Sequence, residues 1–393
     1  MTVVIICMAR PNDNYMVNFK REETVLTSYH FEQIQRQNSR KMELVRTFLT
    51  KMGLGVDQDV EFFVVAFSNH QVVATGGIAG NTLKSIAVDE RFQGMGLSTS
   101  LLSELVTMAY DAGRYNLFIY TKPDNYRRFR EAGFYMLASV KDRVVLLENS
   151  KHRLSDYCYE LSQHKKEGEA IGSIVMNANP FTNGHRYLVE HAASQCDWVH
   201  LFVVKEDRSF FSYQDRLHMI RAGLKDLKNV IIHEGSDYII SRATFPSYFL
   251  KDEGVINYCH TAMDLKIFRS HIAPALGITH RFVGTEPICA VTRFYNQQMQ
   301  QWLTTPTLEC RPIVLSEIPR VELESANLPV SASLVRNLLF DNQWDMIEKL
   351  VPKTTFIHLK QLFDLETSPY QVKRKAMSIV KQAQIPVEAE TNH

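Results

Sequence analysis

Residues Ile171–Ala192 read IGSIVMNANPFTNGHRYLVEHA: an apolar, β-branched run breaks through Asn, Pro, Asn and Gly and then starts a helical pattern. Leu188, Ala192 and Cys196 recur at helical spacing, and WVHLFVV follows as a second strand. Strand, helix, strand at this spacing is a βαβ unit, so the two strands run parallel. His185 falls on the first helical turn, where imidazole has no special helix preference and the helix N-terminus favours an anion. The position reads as chosen for chemistry rather than for folding.

Working outward, NVIIHEG and HRFVG are further strands, alternating with helices at YQDRLHMIRAGLKDL, TAMDLKIFRSHIAPALG and SASLVRNLLFDNQWDMIEKLV. The pattern predicts a doubly wound parallel-sheet α/β domain over 169–377, with ligands beyond the carboxyl ends of its strands. Upstream, residues 1–150 alternate helix and strand: a helix at RKMELVRTFLTKMG, strands at VEFFVVAF, QVVATGGIAG, LKSIAV, NLFIYT and RVVLLEN, and an apolar strand-like N-terminus, MTVVIICMAR. Between them, 151–168 is polar and suits a linker helix. Residues 378–393 lack periodicity and read as a tail.

At 393 residues two domains are expected. An apolar fraction of 45% with 22% charged residues excludes a disordered chain. A formal charge of +1 argues against a nucleic-acid partner, while leaving room for a local basic pocket. Cys7, Cys158, Cys196, Cys259, Cys289 and Cys310 are scattered without CxxC or zinc spacing, so a reduced, cytoplasmic protein with no protein-held metal is expected. No apolar run approaches the roughly 18 residues of a membrane span, so no membrane partner is expected.

In the first half, LKSIAVDERFQGMGLSTSLL places Arg91, Gln93, Gly94 and Gly96 between a strand and a helix whose apolar face carries Leu97, Leu101, Leu105 and Met108. Two glycines let amides approach a ligand, and at a helix N-terminus those amides can cradle a diphosphate, with Arg91 as counter-charge. This RxxGxG turn, followed by YTKPDNYRRFREAGFYML, resembles the GCN5-related N-acetyltransferase (GNAT) family over about residues 40–150, and the resemblance implies that the cradle holds coenzyme A. The sequence departs from the family at FYxxxGF, which reads RFREAGF here: Phe129 stands where the family's tyrosine protonates the leaving thiolate. Tyr126, one turn earlier, is the available substitute.

In the second half, Asn177, Asn179 and Pro180 shape the turn, Phe181, Thr182 and Gly184 lead the backbone past a ligand, and His185 can meet a phosphate as imidazolium or as N–H. TNGH after the first strand resembles the (T/H)xGH signature of the HUP-type, Rossmann-like nucleotidyltransferase superfamily. Its partner motif is matched by VSASLVR, where Ser331, Ser333 and Arg336 open a helix. The resemblance assigns His185 and Arg336 to catalysis. It assigns Asn177, Asn179, Pro180, Phe181, Thr182, Gly184, Gly284, Thr285, Ser331 and Ser333 to ATP. Lys205 and Arg208 follow the second strand where a substrate would sit. Arg216 reads as an exposed helix residue or ion-pair partner. For Asp264 and Arg293, structural and functional readings stay open.

NPFTNGHRYLVEHAA, AMDLKIF, IAPALGITHRFVGTEP and YNQQM extend the likeness over nearly the whole chain: it is similar to the citrate lyase ligase family. That resemblance implies a cytoplasmic enzyme that uses ATP, with Mg²⁺ expected alongside it, to activate acetate as acetyl-adenylate. The acetyl group would pass to the thiol of the dephospho-coenzyme-A-derived prosthetic group on the citrate lyase acyl-carrier subunit, releasing AMP and pyrophosphate. The alternatives are an acetyl-coenzyme-A-dependent acetyltransferase and a small-molecule- or RNA-directed nucleotidyltransferase-type ligase.

Overall fold

The computed structural model describes residues 28–92, 94–205, 209–240, 245–250, 252–286, 289–306, 310–320, 322–323, 328–364 and 368–373. The N-terminal apolar run, Gln93, Asp207, Arg208 and the tail from 378 lie outside the described residues.

Seven strands form the first sheet: β1 (His30–Gln35), β2 (Phe62–Ser68), β3 (Gln71–Ala79), β4 (Thr82–Val88), β5 (Phe118–Thr121), β6 (Tyr135–Val140) and β7 (Val144–Glu148). Their order is β1-β2-β3-β4-β5-β7-β6. Every residue of β2 is buried because both faces are covered, and the alternation shows it. Phe63, Val65 and Phe67 pack with Met42, Val45, Phe48 and Leu49 of helix Ser39–Lys51, whereas Phe62, Val64 and Ala66 pack with Leu97, Leu101 and Leu105 of helix Leu97–Asp111. Among the described residues of this sheet β4 and β5 are the only parallel neighbours, and they pair at Thr82↔Phe118 and Leu83↔Ile119. Beyond those pairs the two strands part.

The second sheet is wholly parallel: β8 (Ile171–Met176), β9 (Trp198–Val203), β10 (Val230–His233), β11 (His280–Gly284) and β12 (Val314–Ile318), in the order β10-β9-β8-β11-β12. This is the doubly wound domain the sequence predicts. Its direction of winding reverses between β8 and β11, which opens a crevice at their carboxyl ends.

Strands β1, β6 and β12 were not legible in the sequence. Each is short and carries exposed or half-buried positions, so the alternating signal is weak. The predicted helix over 331–351 is two, Ala332–Phe340 and Trp344–Leu350, separated by Asn342 at φ 57°, a left-handed residue of the kind that ends helices. The helix expected at 261–277 starts earlier, at Glu253, and runs through a π-turn at Phe268–Ile272 to Leu276.

The linker helix forms at Arg153–Ser162, but it is more than a spacer. Its Leu154 and Leu161 are buried in one apolar cluster with Phe118, Tyr120 and Leu146 of the first sheet and Ile171, Phe202 and Phe268 of the second half. The two halves therefore share a core. Segment 245–250 adds polar links: the Tyr248 hydroxyl donates to the Tyr120 carbonyl at 2.7 Å, and the Ser247 hydroxyl to Asp57 at 2.7 Å. Asp57 in turn accepts from Lys84 Nζ at 3.0 Å, and Lys84 is 1% exposed.

Candidate active site

A cleft of about 860 Å³ lies at the carboxyl end of the parallel sheet. Leaving β8, the chain turns at Asn177–Phe181 and caps helix Asn183–Gln195 with Thr182. The Thr182 hydroxyl accepts the His185 amide at 3.4 Å, and His185 Nδ1 accepts the Thr182 amide at 3.1 Å with the Thr182 hydroxyl at 2.8 Å. A backbone amide can only donate, so Nδ1 is bare and the ring proton sits on Nε2. Burial, with the Arg320 charge as a second cause, pushes the His185 pKa down to about 4. Of the two forms allowed by sequence, the neutral N–H donor is the one this environment selects.

The second motif meets the first. Ser331 caps helix Ala332–Phe340 by accepting the Leu334 amide at 3.1 Å. Arg336 donates to the Asn179 carbonyl and, at 2.9 Å, to the Ser333 hydroxyl, tying the two helix N-termini together. Gly184 has an ordinary backbone; its lack of a side chain matters because an added Cβ would sit 3.1 Å from the Val330 carbonyl. It serves the close approach of the two motifs.

The structure brings Asn177, Asn179, Thr182, Gly184, His185, Gly284, Ser331, Ser333 and Arg336 to one cleft wall. Other expectations need correction. Phe181 is fully buried and stacks on the His185 ring at 5.9 Å, and Pro180 is buried beside it; both set the turn and neither lines the cleft. Thr285 is used internally, its hydroxyl and carbonyl accepting from Arg320 at 3.2 and 2.7 Å. Lys205 is exposed, outside the cleft lining, and stands against Gly235.

Arg216 is the largest correction. It is fully buried, and its Nη1 donates to the Asn177 carbonyl, Asn177 Oδ1 and the Val204 carbonyl at 2.9, 2.7 and 3.0 Å. It clamps the ends of β8 and β9 and holds Asn177 in place. Sequence reasoning also missed Arg320, which lines the cleft beyond β12 and pairs with Glu286. Asp264 proves to be buried in the cleft wall, accepting from the Ile240 amide at 2.8 Å and from the Tyr295 hydroxyl. Arg293 donates to the Glu286 carbonyl at 3.0 Å.

A second cleft, about 520 Å³, opens where β4 and β5 part; Ile86 to Val88 and Ile119 to Thr121 line it together with Gly94 and Gly96. Both glycines have φ of +79°, and Gly96 caps helix Leu97–Asp111 without any side-chain cap, leaving helix amides for a ligand. Arg91 does not line this cleft. Its guanidinium grips Asp89 with two bonds of 3.0 Å, so Lys122 and Arg128 are the cations on the cleft wall. Phe129 is in the lining and Tyr126 is not.

Ile239 and Ile240 border the first cleft, and Tyr248 and Phe249 the second. Ring contacts lead across: Tyr120 to Phe245 at 5.1 Å, Phe245 to His260 at 5.5 Å and His260 to Tyr295 at 5.9 Å. Tyr120 lines one cleft and Tyr295 the other, so the two are separated by about five extended residue lengths at most.

Fold and site define the class: a GNAT-like domain fused to an α/β nucleotidyltransferase-like domain. Residues 26–135 match the Acetyltransferase (GNAT) family, and residues 171–359 match the citrate lyase ligase C-terminal domain. The chain belongs to the citrate lyase ligase family. It is 49% identical over 334 residues to the citrate (pro-3S)-lyase ligase of Escherichia coli K12, covering 85% of this chain and 94% of that one. With the Klebsiella pneumoniae ligase of the same name it shares 51% over 326 residues, 83% and 94% of the two chains. Among the described residues no helix is long and apolar enough to cross a membrane.

Proposed function

We propose that the chain is an ATP-dependent acid–thiol ligase that activates acetate and acetylates the prosthetic-group thiol of the citrate lyase acyl-carrier subunit. The observation that carries this reading is the convergence, in one cleft, of the His185 Nε2–H, the hydroxyls of Ser331 and Ser333, and the Arg336 guanidinium. Donors gathered at two helix N-termini suit a polyphosphate.

In the first step an acetate oxygen attacks the α-phosphorus, and the bond from that phosphorus to the bridging oxygen breaks. The charge that develops on pyrophosphate falls to His185, Ser331, Ser333 and Arg336. A neutral His185 donates a hydrogen bond without having to lose or gain a proton. In the second step the carrier's thiolate attacks the acetyl carbonyl carbon, the bond to AMP breaks, and AMP leaves. The second cleft, with Gly94 and Gly96 at its mouth, holds the coenzyme-A-like arm. Phe129 suits that task, because a thiol that attacks needs to lose a proton and not to be given one. The ring path between the clefts keeps the thiol within reach of the adenylate.

Among the described residues no group of three or more His, Cys, Asp or Glu is placed to hold a metal. A Mg²⁺ carried mainly by ATP phosphates and water fits that arrangement, and it would supply charge neutralisation at the phosphates. Residues to about 150 then serve the arm and 169–377 the adenylation, with 151–168 packed between them. Free thiols at Cys158, Cys196, Cys259, Cys289 and Cys310 suit a reducing cytoplasm.

The test is acetate-dependent exchange of labelled pyrophosphate into ATP. Wild type is expected to exchange, and His185→Ala to fall by roughly 10²- to 10³-fold. Exchange that ignores acetate would sink the reading.

A further inference from the structure

Arg281 lies on β11, a strand otherwise read as core, and is 3% exposed. Its guanidinium carbon stands 4.7 Å from the centroid of the Phe268 ring, and its Nε and Nη1 meet no hydrogen-bond partner. A guanidinium does not shed its proton in a protein, so this is a buried cation with unspent donors, an arrangement that is costly unless something fills it. Asp264, whose charge it feels, accepts from the Ile240 amide and the Tyr295 hydroxyl and makes no hydrogen bond to Nε or Nη1.

Arg281 lines the same cleft as His185, yet from the other side of the sheet. Along β11, Phe282 packs into the cluster that contains Val189 and Val335 from the two phosphate-motif helices. Val283, which shares the face of Arg281, packs into the opposite cluster with Phe268 and Met299. Val175, Ile240, Val283 and Met299 supply an apolar part of the same lining, beside Asp264 and Tyr295. A phosphate would find one cation there, with the Asp264 carboxylate close by to repel its charges and the Tyr295 hydroxyl already donated to that carboxylate. A small aliphatic carboxylate would find a fork for its oxygens and a greasy wall for its methyl.

We infer that Arg281 anchors the carboxylate of the acid substrate, presenting it to the α-phosphorus from the face opposite the pyrophosphate-binding helices. Displacement at phosphorus needs the attacking and leaving oxygens roughly in line. Phosphate motifs on one face of the sheet and an acid anchor on the other meet that demand, the long Arg281 side chain reaching the cleft from within β11. The inference rests on the acid-activating reading above and supplies its missing acetate contact.

Arg281→Met is the decisive variant, because an unbranched apolar side chain keeps most of the packing while removing the guanidinium donors. Three quantities are measured on the full chain: KM for acetate in pyrophosphate exchange, Kd for ATP, and Tm. The expected result is an acetate KM raised about thirty-fold or more, with ATP Kd unchanged; Tm is expected to fall, because the buried Asp264 carboxylate loses a neighbouring cation. Arg281→Lys, which keeps the charge and loses the fork, should fall between. An unchanged acetate KM, or loss of ATP binding in parallel, would overturn the assignment. So would failure of both variants to fold, which would make Arg281 a structural residue.

Binding of ¹³C-acetate, followed by line broadening in the presence of a non-hydrolysable ATP analogue, requires no turnover. Wild type that binds acetate through Arg281 yet shows no exchange would keep the acid site and discard the adenylation chemistry. Wild type that exchanges while Arg281→Met binds acetate as well as it does would discard the site and keep the chemistry.

Discussion

His185 is held by two donors on Nδ1, the Thr182 amide and hydroxyl, and its pKa lies near 4. Its Nε2–H should therefore persist across neutral and mildly acidic pH. In ¹⁵N spectra the ring is expected as the neutral Nε2–H tautomer from pH 8 down to pH 5; an imidazolium at pH 6 would contradict the site geometry. The expectation of a chemical role for this histidine came from its place in the chain, because a helix N-terminus after a parallel strand is suited to a phosphate. Its protonation was not, since burial and the distant Arg320 set it. The arginines teach the complementary lesson. Arg216 looked like a surface helix residue, and nothing in its neighbours announces that it reaches the ends of β8 and β9. Arg281 did carry a signal, a charge inside the apolar strand HRFVG, whose meaning depends on which cleft the strand borders.

Two short elements, each a strand running into a helix through a tight turn, build the two candidate clefts. Thr182→Ala removes the cap of helix Asn183–Gln195 and should cost about 1 kcal/mol of stability. It also takes the hydroxyl away from His185 Nδ1, so pyrophosphate exchange should fall further than a denaturant midpoint would suggest. Equal losses in rate and stability would mean that the cap only supports the helix. Gly96→Ala meets no neighbour within 4 Å, but it forces an L-residue to φ +79° at a cost of about 1 kcal/mol. Acetylation of the carrier should weaken while acetate-dependent exchange by the protein alone stays intact, because the two clefts hold different substrates. A parallel fall in exchange would show that the clefts do not divide the work. The motif elements were readable because Gly, Asn and Pro punctuate them; β1, β6 and β12, edge or near-edge strands with exposed positions, lack that punctuation.

At the scale of the whole molecule, the halves are joined by a shared apolar core and by a buried polar chain, Lys84 to Asp57 to Ser247. Lys84→Met leaves the Asp57 carboxylate without its cation and should destabilise the protein by roughly 3 kcal/mol, seen as one lowered urea midpoint. Two separated transitions would instead show that the halves unfold independently. Buried histidines set a second whole-molecule property. Burial lowers the pKa of His185 and His200 to about 4 and of His233 to about 3, below the unfolded value of about 6.5. The unfolded chain then binds protons that the folded one refuses. Their contribution is complete above pH 6.5 and is lost as pH falls through the folded values. Urea stability should begin to drop just below pH 6.5, before carboxylates titrate, and less steeply in His233→Gln; a flat profile to pH 5 would contradict the burial of these rings.

The amino-acid sequence determined the class of each half, the order of the parallel strands' motifs and many of the residues that line the first cleft, because hydrophobic period and turn chemistry are local properties. Only the tertiary structure decided the tautomer of His185, the clamp made by Arg216, the capture of Arg91 by Asp89 and the open guanidinium of Arg281. Each depends on a partner, or the lack of one, brought together from distant or opposed parts of the fold. Proximity of the two clefts belongs to the same group: it arises from a core built jointly by both halves, and no pattern within either half encodes it.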